Sequence, residues 1–377
     1  MITVELEEIF EAYYSARENK RQRADAIAFE MEYEKRLIEL YEELASGVYE
    51  ISPSTAFIVN RPVKREIFAG AFRDRIVHHW VFNRLNPLCE RVFIHDSYSC
   101  REGKGTSFGV RRAEHFVRSV SRNYSRDAWV LRLDISGYFM AIDRQVLFEK
   151  IETLLKKYTS ICGFDRDFFL DIVRKIVFND PTIKCRIRGK REDWVGLPKS
   201  KSLFFAKPGC GLPIGNLTSQ LFANLYLNDF DHFVKRTFPK TRYGRYVDDL
   251  LFVSDDKDAF QEIPEILNAY LMQNLGLHMH PLKQYLQHIS KGGDFLGKYI
   301  LPYRKYLRNT TKQSVRDRLQ KKRENDEDEN YIELAQTWNS YRGLFDACNA
   351  YRIREKMFSE FCIDRVCEFR RKEVCHI

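Results

Sequence analysis

The stretch Arg242-Tyr-Gly-Arg-Tyr-Val-Asp-Asp-Leu-Leu-Phe-Val253 decides the fold. Runs of β-forming residues flank Asp248-Asp249, and a two-residue connection between such runs is the strongest short hairpin signal. The spacing predicts a hairpin with the two aspartates at its tip. Such turns usually take Asn-Gly or Asp-Gly, because the turn types that suit strand twist need φ > 0. Adjacent carboxylates also repel each other, so something cationic is expected there. An arbitrary Asp-Asp in a loop is ordinarily a solvated acidic turn. Here the apolar strands on both sides imply a buried hairpin that presents two charges at one point, and the pattern asks for a partner carboxylate.

Trp129-Val-Leu-Arg-Leu-Asp-Ile-Ser-Gly-Tyr-Phe139 supplies one: it reads as a strand with Asp134 at its end, followed by a turn at Gly137. A strand-end Asp and a hairpin Asp pair can hold two Mg2+ ions roughly 3.5–4 Å apart, clamping the attacking and leaving oxygens of a phosphoryl transfer. Mg2+ favours a few carboxylates together with substrate phosphates. This pairing resembles the palm of a nucleic-acid polymerase, and the Tyr-Val-Asp-Asp core is similar to that of reverse transcriptases.

Composition agrees. The 377 residues are 44% hydrophobic, enough for a sizeable core in two or three domains, and the net charge is +9. A basic balance in an enzyme-sized chain suits a polyanionic partner, although many proteins are merely basic. Nine cysteines without a CxxC pair read as reduced thiols of a cytoplasmic protein. No apolar run is long enough for a membrane span, and Glu5, Glu7 and Glu8 interrupt any signal peptide.

Residues 1–50 read as a helical extension, with Leu37, Leu40, Tyr41 and Leu44 on one face and Ser46-Gly47 as a stop. The basic run Arg17–Arg23 is most simply a solvated face. From Tyr49 to Arg65 the pattern turns β-like, with Pro53 and Pro62 as breakers, and it becomes helical after Arg73. His78 and His79 are adjacent rather than four apart, so they read as packed side chains and not as a metal pair. Lys64, Arg65, Arg73 and Arg75 fall where the resemblance puts the fingers, whose cations neutralise an incoming triphosphate; it favours Arg65 and Arg75. His95–Thr106 contains Gly103-Lys104-Gly105. That is an ordinary turn taken alone, but its position is similar to the second reverse-transcriptase block and implies a template-backbone contact. Lys184–Arg191 reads as a basic surface hairpin with Gly189 in its turn.

The most discriminating block is Pro208-Gly-Cys-Gly-Leu-Pro-Ile-Gly-Asn-Leu-Thr-Ser-Gln220 and the helix that follows. Gly215 lets backbone approach a nucleotide, and the helix start offers N–H groups to phosphate. Most reverse transcriptases read Gln-Gly here, with Ser-Pro four residues on. Ile214-Gly215-Asn216 with Ser219-Gln220 resembles instead the reverse transcriptase of a diversity-generating retroelement. Such elements, bacterial, archaeal or phage-encoded, copy a template-repeat RNA with errors at adenines, and the cDNA replaces part of a variable gene. Lys283, in Leu275–Tyr285, aligns with the lysine proposed to protonate pyrophosphate, although the family usually has two lysines after His-Pro. Gly292-Gly-Asp-Phe-Leu-Gly297 resembles the primer-grip hairpin, and Ser340–Arg352 the thumb. The acidic run Glu324–Asn330 reads as a solvated loop, and the last twenty residues carry no reading.

The resemblance covers residues of about 10 to 355. It implies an α+β right hand: a helical extension (1–50), fingers and a split β-α-β palm (51–300), and an α-helical thumb (301–377). Asp134 and Asp248 would hold both Mg2+ ions with the Ile135 carbonyl, Asp249 being peripheral and Mn2+ able to substitute. Phe139, five residues after Asp134, would exclude a 2′-hydroxyl; Ile214, Gly215 and Asn216 would meet the dNTP; Lys104, Tyr246 and Gly297 would meet the cDNA/RNA hybrid. A small basic accessory protein, as an oligomeric ring, is the implied partner, with Glu39–Glu43 and Glu324–Asn330 as acidic patches it could approach. The alternatives are a retron or group II intron type enzyme, set apart by the Ile-Gly-Asn block and by the lack of a DNA-binding or endonuclease segment, and a maturase-like RNA-binding scaffold.

Overall fold

The computed structural model describes residues 3–18, 20–60, 63–324 and 330–361. Pro62, most of the acidic run 324–330 and the chain beyond 361 lie outside them. Three helices lead, α1 (Leu6–Arg17), α2 (Ala24–Glu30) and α3 (Tyr33–Ala45). Leu37, Leu40 and Leu44, spaced at helical period, are the buried face of α3. Strands β1 (Thr55–Val59) and β2 (Arg65–Ala69) follow, then the long α4 (Phe72–Glu90) and α5 (Thr106–Val120). Strand β3 (Trp129–Asp134) ends at the short α6 (Tyr138–Ala141). Next come α7 (Arg144–Lys157) and α8 (Arg166–Phe178), whose first amides are capped by the Asp143 and Asp165 carboxylates.

Strand β4 (Arg186–Ile187) is only two residues long and pairs parallel with β1 in the order β2-β1-β4. The basic run is therefore an edge of the fingers sheet and not the hairpin its glycine suggested; Gly189, at φ +98, merely turns the chain out of that edge. Helices α9 (Leu217–Tyr226) and α10 (Asn228–Thr237) lead into the hairpin β5 (Arg242–Tyr246) and β6 (Asp249–Ser254), and then α11 (Ala259–Leu275). Strand β7 (Tyr285–His288) completes an antiparallel sheet in the order β5-β6-β3-β7. A second antiparallel sheet, β8 (Gly293–Phe295), β9 (Lys298–Leu301) and β10 (Arg304–Leu307), precedes α12 (Asn309–Glu324), α13 (Asn330–Asp346) and α14 (Tyr351–Glu360).

Strand period two sends alternate residues of the central sheet into two cores. Leu131, Leu133, Leu250, Phe252 and Tyr243 join the large core with α4, α7, α8, α9 and α11. Val130, Leu251 and Val253 face the other way, onto Val110, Phe116 and Val117 of α5 and Phe295 and Ile300 of the β8–β10 sheet. Both faces are covered, which explains the nearly unbroken apolar run in β6. The last three helices carry their own core around Leu319, Trp338, Phe345 and Met357. No helix among the described residues is long and apolar enough to cross a membrane, and the six described cysteines are all free.

Candidate active site

The hairpin turn is Val247-Asp248, not Asp248-Asp249: Tyr246 pairs with Asp249, which opens β6. The positive φ the turn requires falls on Val247 (φ +57), an unfavourable place for a β-branched residue. Arg245 braces it from behind, with Nη1 donating to the Val247 carbonyl at 3.0 Å. Its Nε and Nη2 donate to the two oxygens of Asp231, at 2.8 and 2.7 Å, and Tyr243 donates its hydroxyl to the same carboxylate at 2.7 Å. This ion pair is 0% and 1% exposed. Sequence reasoning missed it, because both residues sit in runs that read simply as strand and helix.

Asp134 lies opposite Asp249 in the β3–β6 register. The Ile135 amide donates to the Asp248 carbonyl at 3.1 Å, so the three carboxylates share one end of the sheet. Burial first, and then the negative charges of Asp134 and Asp249, push the Asp248 carboxyl up to about 6. Burial also raises Asp249, against the pull of Arg132. Lys283 places Nζ 2.8 Å from each oxygen of Asp134. Arg132 reaches Asp249 at 3.4 Å and Asp294 at 3.1 Å, and Arg308, just ahead of α12, holds the other oxygen of Asp294 at 2.6 Å. The start of α12 is thereby tied to the carboxylate end by charge, a link that no motif announced.

Among the described residues, no group of three or more His, Cys, Asp or Glu side chains stands close enough to hold a metal ion, and a lysine takes the Asp134 carboxylate. The donor set nevertheless suits one. Three carboxylates face two cations there, and Asp248 is charge-frustrated by its neighbours, which is the environment a hard divalent cation relieves.

Of the four cations expected at a triphosphate, Arg65 alone faces the hairpin: it opens β2, is exposed, and its charge is felt by the Tyr246 phenol. Lys64 donates to the Val195 carbonyl at 2.6 Å. Arg73 forms a forked pair with Glu43 of α3, and Arg75 holds Asp25 at 2.7 Å and the Gly70 carbonyl at 2.9 Å. Both are spent on the helical extension, because α4 turns them toward it; Glu43 is correspondingly lost from the exposed acidic patch, which keeps Glu39 and Glu42. Lys104, between positive-φ glycines, bonds its own loop at the His95 carbonyl, 2.6 Å away.

Phe139, on α6, accepts at its carbonyl from the Leu212 amide at 2.8 Å. Ile214 accepts from the Phe68 amide, also at 2.8 Å, and packs half-buried in the same small cluster as Phe139. Gly215 is needed because a Cβ there would come within 2.7 Å of the Phe68 carbonyl, and its φ is +134. The close approach it permits is therefore to the fingers strand. Asn216 stands before α9 without capping it, and its Oδ1 lies 3.4 Å from the Gly70 amide. Leu296-Gly297 forms the two-residue turn of the β8–β9 hairpin, both at positive φ.

Residues 65–300 match the family described as reverse transcriptase (RNA-dependent DNA polymerase), and the chain belongs to that family. It is an RNA-directed DNA polymerase by class, and such domains work with divalent metal ions. Protein YkfC of Escherichia coli (strain K12) is 24% identical over 296 residues, 70% of either chain. Nuclear intron maturase 4, mitochondrial, of Arabidopsis thaliana is 24% identical over 192 residues, 51% of this chain and 20% of that protein. An apo telomerase from Candida tropicalis superposes with a TM-score of 0.48 at 13% identity, covering 72% of this chain and 59% of the other. A Candida albicans telomerase in complex with a telomeric RNA fragment gives 0.47 at 13%, covering 86% and 63%.

Proposed function

We propose that this enzyme is the reverse transcriptase of a diversity-generating retroelement, copying a template-repeat RNA into cDNA with errors directed to adenines. The observation that carries the reading is Ile214, an apolar side chain packed on the same small cluster as Phe139, where the resemblance gives most of the family a glutamine. Asp134, Asp248 and the Ile135 carbonyl would hold two Mg2+ ions, with Asp249 as the outer carboxylate and Mn2+ as a substitute. Bound there, the ions supply the charge that activates the primer hydroxyl and stabilises the leaving oxygen. Arg65 faces the triphosphate, and Lys283 holds a proton at Nζ for the departing pyrophosphate. Phe139 lies beneath the sugar and excludes the 2′-hydroxyl. Tyr246, Lys104 and Gly297 line the path of the cDNA/RNA hybrid, and the acidic Glu39 and Glu42 of α3 offer a face to a small basic accessory protein.

A glutamine amide would hydrogen-bond the substrate and order it; isoleucine keeps bulk but neither donor nor acceptor. One such bond is worth about 0.5–1.5 kcal/mol, or roughly 2–13-fold in relative insertion rates. The loss tells most where the templating base pairs weakly, as adenine does. A second reading, a group II intron type enzyme, is favoured by the similarity to an intron maturase. Sequencing cDNA made on one RNA by the wild type and by Ile214→Gln separates the two. Adenine-directed errors that fall in the variant support the first reading; an even error spectrum in both enzymes favours the second. No synthesis from a folded wild type, supplied with its RNA and accessory protein, would leave a scaffold.

A further inference from the structure

A strap of three 3-10 turns, Arg191–Trp194, Lys199–Lys201 and Leu203–Phe205, crosses between the fingers sheet and the turn after Asp134. It is anchored by Glu66, in β2, which is 1% exposed. One carboxylate oxygen accepts from the Trp194 indole and the Ser202 hydroxyl, each at 2.7 Å, and the other from the Leu203 amide at 2.6 Å. Among the described residues no cation pairs with it, so three neutral donors carry the whole cost of burying the charge.

The strap's opposite side meets the residues read above as selecting substrate. The Ser200 carbonyl lies against Gly137, where a Cβ would come within 3.0 Å and where φ is +56. Leu203 forms a buried cluster with Ala56, Phe68 and Met140, on which Phe139, Ile214 and Trp194 pack. Phe139 and Ile214 thus rest on one floor, and Glu66 fastens the piece of that floor that is not regular structure.

We propose that Glu66 is a positioning residue for substrate selection, holding the strap so that Phe139 stands at the depth that excludes ribonucleotides. The proposal rests on the reading of Phe139 given above. Glutamine is nearly isosteric yet cannot replace the glutamate. Whichever way its amide turns, an NH2 group faces either the indole N–H or the Leu203 N–H, both pure donors. Loss of such a bond lets the strap and the ring above it relax.

The test measures kcat/KM for matched rNTP and dNTP on a primed RNA template. It uses the full chain, with whatever RNA and accessory components support wild-type synthesis. Glu66→Gln and Trp194→Phe, which break the same contact from its two sides, should each raise the rNTP/dNTP ratio about fivefold, with primer–template affinity unchanged. Phe139→Ala is run beside them. If it raises the ratio while neither strap variant does, Glu66 has no part in selection and the proposal is overturned. An equal fall for both nucleotides would show mere structural support and overturn it too. If Phe139→Ala leaves the ratio unchanged, the gate itself is misassigned and the proposal falls with it. Should Glu66→Gln fail to fold, Trp194→Phe decides alone.

Discussion

Lys283 grips both oxygens of Asp134, each at 2.8 Å, although half of its own side chain remains exposed. A divalent ion that binds Asp134 must therefore displace an ammonium group. An exposed pair of this kind is worth about 1 kcal/mol or less, so the competition costs at most about fivefold in affinity. Lys283→Met should tighten Mn2+ binding by up to that factor, read by electron paramagnetic resonance without nucleotide. It should also slow single-turnover incorporation by about a hundredfold, if Lys283 is the proton donor proposed above. Unchanged Mn2+ affinity would show that the lysine leaves Asp134 at no cost.

Asp248 carries the opposite imbalance. Its carboxyl is raised to about 6 in the folded chain, so its contribution to stability is present below the ordinary carboxylate range and is lost as pH rises through 6. At pH 7 and without metal, Asp248→Asn should raise the melting temperature by a few degrees, on the order of 1 kcal/mol. The same substitution should reduce Mg2+-dependent cDNA synthesis by about a thousandfold or more. A more stable and inactive variant is the expected pair; a destabilised one would mean that the charge is already neutralised.

The Asp231–Arg245 pair should be the most sensitive point behind the hairpin. Asp231→Asn leaves a fully buried guanidinium without a counter-charge, which costs about 3–5 kcal/mol. Urea unfolding should register that loss. Arg245→Lys should do little better, since a single ammonium nitrogen cannot stand at once where Nε and Nη2 meet Asp231 and where Nη1 meets the Val247 carbonyl.

His78 should govern part of the acid stability. It is 6% exposed, with Nδ1 2.7 Å from the Thr218 hydroxyl, and burial, followed by the charges of His79 and Arg75, lowers its imidazole to about 4. A depressed histidine contributes stability that is present above its ordinary value near 6.5 and lost as pH falls toward 4, in all about 3 kcal/mol. The denaturation midpoint should decline across that window, and His78→Gln should flatten the decline. Parallel curves for the two proteins would place the titration elsewhere.

Much of this arrangement was legible in the chain because it follows from local period and turn chemistry. Runs of β-forming, largely apolar residues mark β3 and β6, and aspartates at their ends land together once the strands pair. The hairpin at Gly292–Gly297 was legible only through its resemblance, since the leucine that opens its turn is no usual turn residue. What stayed hidden depends on tertiary partners. Arg73 and Arg75 look like free phosphate-binding cations until α4 turns them onto Glu43 and Asp25, far away in sequence. The turn sits one residue early, on Val247, because Arg245 and its buried aspartate outweigh the usual aversion of a β-branched residue to positive φ. Glu66 gives no signal at all: an alternating strand residue between Arg65 and Ile67 reads as solvent-facing until the strap covers it.

The carboxylates and the Ile214 side chain stand in separate pieces of packing. Asp134 and Asp249 belong to the register of the central sheet, whereas Ile214 rests on a four-residue cluster that includes Ala56 and Phe68 of β1 and β2, and Phe139 bridges that cluster and the large core. On the function proposed above, substitutions under Ile214 shift how strictly the enzyme chooses, while Asp134 and Asp249 keep their register. If Ile214 governs substrate ordering as proposed, accuracy and competence are separately heritable traits in this chain, and a lineage can drift along one without forfeiting the other.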